Sequence, residues 1–190
     1  MRTYIKESLF FSEHPHPDLR MDRLDSVVQQ TVELASSTRR KEVEIVASTP
    51  REVLIEMNGV LIQRLLINLI SNAIDASEPG TIIRVELEQL TKTNRASEWV
   101  RIRVIDNGEG ISRENLSRVQ LPYFTTKDRG DEGRGFGLGL AICRKIVTLH
   151  GGHISIESQL RKGTTVQVDL PLRQSDKVTL TPLASLPAAV

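Results

Sequence analysis

The sequence predicts an α/β protein built as a two-layer sandwich, a mixed and mostly antiparallel sheet faced by helices. Three observations carry this reading. Segments that alternate apolar and polar residues, as half-buried strands do, arrive in adjacent pairs, which favours antiparallel or mixed pairing. Between the pairs lie segments whose apolar residues recur at helical spacing. The order that results is helix, two strands, helix, two strands, loop, helix, two strands, with no internal repeat.

The opening "TYIKESLFFSE" is helical in pattern and stops at "HPHPDLR", where Pro15 and Pro17 forbid continuation. A helix this short is marginal alone and reads as the end of something longer. From Asp22 to Arg40 the residues Leu24, Val27, Val28, Leu34 and Ala35 predict a helix, and "VEIVAS" and "VLIEM" predict two short strands joined by a turn at Pro50. A second helix is expected over about Gly59 to Ser77. "TIIRVELEQL" and "WVRIRVID" form the next strand pair, connected by a polar hairpin loop from Thr91 to Glu98. A short helix near Glu114 to Val119 precedes a glycine- and charge-rich stretch, Pro122 to Phe136. An apolar helix from Leu138 to His150 ends at Gly151-Gly152, and "HISIES" and "TTVQVDL" close the fold around the turn "QLRKG". Beyond Pro171, a Ser, Thr, Pro and Ala composition predicts a disordered tail.

Composition narrows the function. The 190 residues, 39% of them hydrophobic, suffice for one domain with a proper core and short appendages. Lys plus Arg (25) nearly cancels Asp plus Glu (24), so no overall basic field exists to attract nucleic acid. The single cysteine, Cys143, excludes an intrachain disulfide and a cysteine-based zinc site, which fits a reducing compartment. Its apolar neighbours make it a small buried hydrophobe, the alternative being a reactive thiol. No run of about 18 apolar residues exists and the N-terminus lacks the plan of a signal peptide. The expectation is a cytoplasmic chain without membrane contact.

Four segments carry chemistry. In "LINLISNAIDAS", Asn68, Ser71, Asn72 and Asp75 form a polar stripe of short side chains on an otherwise apolar helix. Solvated helix faces are normally filled with Lys, Glu, Arg and Gln, whereas Asn and Asp are poorer helix formers. Something other than helix stability is served. A neutral amide oxygen from Asn72, one turn beyond Asn68, suits Mg²⁺, which keeps several waters and takes further oxygens from phosphates.

"VIDNGEGIS" places Asp106 at the end of a strand beside Gly108 and Gly110. Such residues make a tight turn. Alternatively, a buried carboxylate there accepts from an exocyclic amine such as adenine's, while the glycines let a flat base approach the backbone. "GRGFGLGLAI" runs from glycines into a helix and presents backbone N–H groups to an anion, or is simply a flexible linker. It lacks the Gly-Lys-Ser/Thr ending of a P-loop and does not suit a dinucleotide fold. "LPYFTTKDRGDEGR" is either a mobile surface loop or a lid whose Lys127, Arg129 and Arg134 reach phosphates on closing.

Together, in this order and spacing, the segments resemble the nucleotide-binding boxes of sensor histidine kinases, within the superfamily shared with DNA gyrase and mismatch-repair ATPases. "NLISNAIDA" resembles the N box, "DNGEGI" the first glycine box, "PYFTTK" the F box, "GFGLGL" the second glycine box and "KGTTVQVDLP" the closing strand. The resemblance covers about Arg20 to Pro171. It implies a Bergerat-type ATP-binding fold, with ATP held between the helix layer and a lid. It implies that Asp106 binds the adenine amine, that Gly110 and Thr164 complete a water-linked base site beside Gly108 and Ile111, and that Asn68 and Asn72 hold Mg²⁺ against the triphosphate. It implies further that Phe124 anchors the lid, that Gly135, Gly137 and Gly139 wrap the phosphates, and that Thr126, Lys127, Arg134, Leu138 and Leu140 belong to the ATP site.

Hydrolysing relatives carry a glutamate at the position of Asn68, and an amide cannot act as a general base at neutral pH. The resemblance therefore implies transfer to a histidine, with Asn68, Asn72 and Lys127 in the catalytic roles. Asp75 stands where many sensor kinases have a basic residue, so phosphate clamping falls to Lys127, Arg129 or Arg134, and Asp75 is left to contact water around Mg²⁺ or an arginine. The implied division is residues 1–19 as the end of a dimerisation helix and linker, 20–172 as the catalytic domain and 173–190 as tail. His14 and His16 sit in the proline linker and His150 and His153 flank a glycine turn, positions unlike those of the family's phosphoacceptor. The chain thus reads as a catalytic domain cut from a longer kinase. Its partners would be a histidine-bearing dimerisation domain and a response-regulator receiver domain. Two other readings remain: a non-catalytic nucleotide-binding module, and an anti-sigma-type serine/threonine kinase on the same fold.

Overall fold

The computed structural model describes residues 17–38, 42–90, 98–119, 121, 124 and 137–173. Its elements are β1 (Arg20–Arg23), α1 (Leu24–Thr38), β2 (Glu44–Ser48), β3 (Leu54–Met57), α2 (Gly59–Ala76), β4 (Ile82–Leu90), β5 (Trp99–Asp106), α3 (Arg113–Leu116), α4 (Gly139–Leu149), β6 (His153–Gln159) and β7 (Gly163–Pro171). The main sheet has five strands in the order β2-β4-β5-β7-β6. The β2–β4 pair is parallel and the other three are antiparallel. This is the mixed sheet that the sequence predicts.

Strand alternation decides which face is covered. Ile83, Val85 and Leu87 of β4, Val100, Ile102 and Val104 of β5, and Val168 and Leu170 of β7 are buried on the face that α1, α2 and α4 cover. The opposite face carries charged cross-strand pairs: Arg101 grips Asp169 through two bonds of 2.8 and 3.0 Å, and Arg103 reaches Glu86 at 3.0 Å and Glu88 at 3.3 Å. One face is a core and the other a solvated lattice of salt bridges.

Helix α2 lies between α1 and α4 and is the centre of the helix layer. It starts where the Asn58 side chain accepts from the Leu61 amide at 3.1 Å, and it stops at Ser77, in extended conformation, two residues ahead of Pro79. Leu61, Ile62, Leu65, Leu66, Leu69, Ile70 and Ala73 form its buried side. Each large residue there is worth about 1.5–3 kcal/mol of transfer from water.

Two expectations about the N-terminal part are corrected. Asp22 does not begin the first helix: it lies in β1, which pairs antiparallel with β3, and α1 begins at Leu24. The strands β2 and β3 are not a hairpin either, because β2 joins the main sheet and β3 the two-stranded sheet with β1. The physical reason is Asp25. Buried to 2% exposure, it accepts from Arg23 at 2.6 Å and from the amides of Glu52 and Val53 at 3.3 and 3.1 Å, which turns the connection away from β2. The Arg23 bond holds its carboxyl below the ordinary range.

At the far end Leu172, the last residue of the expected catalytic domain, is buried and tied in. Its amide donates to the Glu98 carbonyl at 2.9 Å and its carbonyl accepts from Glu56 at 2.7 Å, linking the two sheets. The expected opening helix, the hairpin loop at 91–97 and the tail from 174 lie outside the described residues.

Candidate functional site

The site is built where β5 ends. Its last residue, Asp106, faces the helix layer and is 7% exposed. The Oδ1 atom accepts from the Gly108 amide at 2.9 Å and from the Thr164 amide at 3.2 Å. Burial pushes its carboxyl above the ordinary aspartate value, against the pull of those two amides, and Glu109 adds to the rise. With Oδ1 engaged twice, Oδ2 remains as the acceptor for a ligand.

The loop after Asp106 is clamped on two sides. Glu109 donates to the carbonyl of Ala76 at the end of α2 (2.9 Å), and its own carbonyl accepts from Arg161 in the β6–β7 turn (2.7 Å). The glycines make this approach possible. A Cβ on Gly108 would lie 2.1 Å from the Ala76 oxygen, and one on Gly110, which has φ +66°, would lie 2.1 Å from the Gln159 oxygen. Both positions need glycine for space, and Gly110 also for conformation.

The polar stripe of α2 divides by depth. Asn68 and Asn72 are half-buried while Ser71 and Asp75 are exposed, so Asp75 stands at the rim. Among the described residues, the buried Asn68 Nδ2 atom has no oxygen or nitrogen partner, its neighbour being the Cys143 thiol. A buried amide donor of this kind is costly unless a ligand or water completes it. Beside it is Cys143 of α4, fully buried and pushed up to about 12 by that burial, with the Asn68 amide acting the other way. Its Sγ lies 3.8 Å from the Leu65 carbonyl, and it is the small buried hydrophobe expected, not a reactive thiol.

Gly137, at φ +70°, and buried Leu138 lead into α4. Leu138 provides no side-chain cap, and nothing among the described residues lies within 4 Å of a Cβ placed on Gly139. Among the described residues, no side chain caps the first amides of α4, an arrangement suited to an anion. Leu140 is half-buried against the core. Phe124 is half-buried, and the Arg118 guanidinium sits 4.7 Å from its ring centre. Thr126, Lys127, Arg134 and Gly135 lie outside the described residues.

Sequence reasoning missed three contributors. Gly163, at φ +100°, places its α-carbon so close to the Asp106 carbonyl that a Cβ would stand 2.0 Å from that oxygen; its position directly before Thr164 was the available signal. Ser158 bonds to Ile111, Gly163 and Thr164 at once, and no local motif marks it. Buried His150 joins α4 to α2: Nδ1 contacts the Ile146 carbonyl at 2.8 Å and Nε2 accepts from the Asn58 amide at 3.0 Å. His153 is exposed and stacks on Trp99.

A buried aspartate at a strand end, tight glycine turns around it and a helix start without a side-chain cap, on a mixed sheet covered by helices, are the features of a nucleotide-binding ATPase domain. The chain belongs to the family of histidine kinase-, DNA gyrase B-, and HSP90-like ATPases, whose pattern it matches over residues 57–174. It is similar to sporulation kinase D of Bacillus subtilis, with 36% identity over 134 residues, 70% of this chain and 24% of that protein. It is also similar to histidine protein kinase DivJ of Caulobacter vibrioides, with 37% identity over 70% of this chain and 21% of that protein. The chain thus spans about a quarter of the length of these relatives. Among solved structures, the catalytic domain of histidine kinase ThkA superposes with a TM-score of 0.71 at 27% identity, covering 84% of this chain and 99% of that one. ThkA in complex with response regulator protein TrrA gives 0.72 at 27% identity, over 90% of this chain and 47% of that one.

Proposed function

We propose that this domain binds Mg²⁺-ATP and passes the γ-phosphoryl group to a histidine on a helical dimerisation hairpin, as the catalytic part of a two-component sensor kinase. A receiver domain of a response regulator would be the downstream partner and the cytoplasm the setting. Among the described residues, no helix is long and apolar enough to cross a membrane. The observation that carries the reading is the buried Asp106 carboxylate, with one oxygen anchored by the Gly108 and Thr164 amides and the other left for an adenine amine.

The residues present fit the nucleotide and its metal. Asp106 is held buried by the Gly108 and Thr164 amides with Oδ2 left over, and Asn68 and Asn72 stand half-buried one turn apart on α2. Asn68 and Asn72 would offer the ion neutral amide oxygens, the remainder coming from phosphates and water. Bound Mg²⁺ would offset charge on the phosphates. Positioning and charge stabilisation would then be the protein's task, a role proposed for Lys127 and the α4 amides. Asn68 cannot accept a proton from water, which favours transfer over hydrolysis. The nucleophile is the partner's histidine.

The test is calorimetric titration of the chain with ATP, with and without Mg²⁺, followed by addition of a histidine-bearing hairpin and analysis of the label. Saturable binding and an acid-labile, base-stable phosphate are expected. An acid-stable label would establish a serine/threonine kinase instead, and binding without any label a nucleotide-binding module.

A further inference from the structure

Asp106, Thr164 and Ser158 occupy one rung of the sheet, on adjacent strands β5, β7 and β6, with Asp106 opposite Thr164 and Thr164 opposite Ser158. All three face the helix layer, as Val104, Val166 and Ile156 do two residues earlier or later on the same strands. Ser158 is the hub of this row. Its Oγ accepts from the Ile111 amide at 2.8 Å, lies 3.0 Å from the Gly163 carbonyl and 2.9 Å from Thr164 Oγ1.

The proton positions follow from the partners. A serine hydroxyl has one proton and two lone pairs. A carbonyl can only accept, so the Ser158 proton goes to Gly163. One lone pair takes the Ile111 N–H, and the other is left for the Thr164 hydroxyl. Thr164 must then donate to Ser158, which leaves its Oγ1 with lone pairs only. Beside the Asp106 carboxylate, the pocket offers two acceptors and no hydroxyl donor.

We infer that Ser158 is a positioning residue for base selectivity, holding the Thr164 hydroxyl as a pure acceptor so that the pocket takes adenine and rejects guanine. This rests on the nucleotide-site reading above. With both acceptors facing the 6-substituent of the base, adenine's amino group brings an N–H donor for each, whereas guanine's carbonyl oxygen would face two acceptors, directly or through water. Without Ser158 the Thr164 hydroxyl is free to turn and donate, and a guanine oxygen then finds a partner.

The test is calorimetric measurement of ATP and GTP affinity for the wild-type chain and for Ser158→Ala, Ser158→Thr, Thr164→Val and the Ser158→Ala/Thr164→Val pair. Wild type is expected to favour ATP, Ser158→Ala to narrow the GTP-to-ATP ratio by roughly tenfold, the scale of one hydrogen bond, and Ser158→Thr to restore it. Thr164→Val, which keeps the backbone bond to Asp106, should narrow the ratio similarly, and the pair should do no more than either alone. An unchanged ratio in Ser158→Ala, equal losses for both nucleotides, or additive effects in the pair would overturn the inference while leaving the ATP site intact. Should Ser158→Ala fail to fold, the comparison of Thr164→Val with Ser158→Thr decides: an unchanged ratio in the former, or a narrowed one in the latter, would refute it. Failure of the wild type to bind either nucleotide would remove the site itself and the inference with it.

Discussion

The buried Asp106 carboxylate costs the fold stability at neutral pH. Its carboxyl is raised by burial, so the ionised form is disfavoured in the fold, and the amides of Gly108 and Thr164 only partly compensate. A group whose folded value lies above its unfolded value binds more protons in the native state. Its stabilising contribution is present at low pH and is lost as pH rises through the raised value. Asp106→Asn keeps an oxygen for both amides and removes the buried charge. It should equal or exceed wild type in urea stability at neutral pH, with the advantage narrowing as pH falls through that window. The same variant should lose about 10- to 100-fold in ATP affinity by calorimetry, because its amide can turn a donor toward the adenine amine. A second residue-scale prediction concerns Gly110 and Gly163. With positive φ and a backbone oxygen 2.1 or 2.0 Å from the missing Cβ, replacement of either by Ala should cost about 2 kcal/mol or more, measured by denaturation.

Among elements, α2 is held from both ends by groups outside itself. The Asn58 cap starts it, the His150 ring at the end of α4 takes the Asn58 amide, and the Ala76 carbonyl at its other end receives the Glu109 amide. The helix that bears Asn68 and Asn72 is therefore fixed against both α4 and the loop that shapes the base pocket. Asn58→Ala should lower stability by about 1 kcal/mol through the lost cap. His150→Phe should cost about 1–3 kcal/mol by leaving the Asn58 amide without its acceptor. Denaturant unfolding of each variant checks these values, and nucleotide affinity should fall with them as α2 loses its anchor. The helix and its approximate span were legible in the sequence because apolar periodicity is local. The His150 link was not, since a histidine before a glycine turn says nothing about which amide it meets.

For the whole molecule, the arrangement divides labour between two regions of one helix layer. In the proposed function, base recognition would sit at the end of β5 and the β6–β7 turn, while the metal and phosphates would fall to α2 and the start of α4. Asn72→Ala should therefore separate the two. It should retain nucleotide binding by calorimetry but lose Mg²⁺-dependent phosphotransfer to a supplied hairpin by about two orders of magnitude, the scale of removing one group that stabilises transferring charge. Full transfer in that variant would refute the metal role.

The motifs, the mixed sheet faced by helices and the family were readable from the sequence alone, because period-2 and period-3.6 patterns and glycine spacing are short-range signals. The pairing of β3 with β1, and the separation of β2 from β3, were decided by the buried Asp25 and its backbone partners. The tertiary structure alone set Thr164 against Asp106, 58 residues apart, and Asn58 against His150, 92 apart. A sequence records which side chains exist and how they repeat. Which distant polar atoms meet, and so which lone pair is left to face a ligand, is settled only when the strands have taken their register.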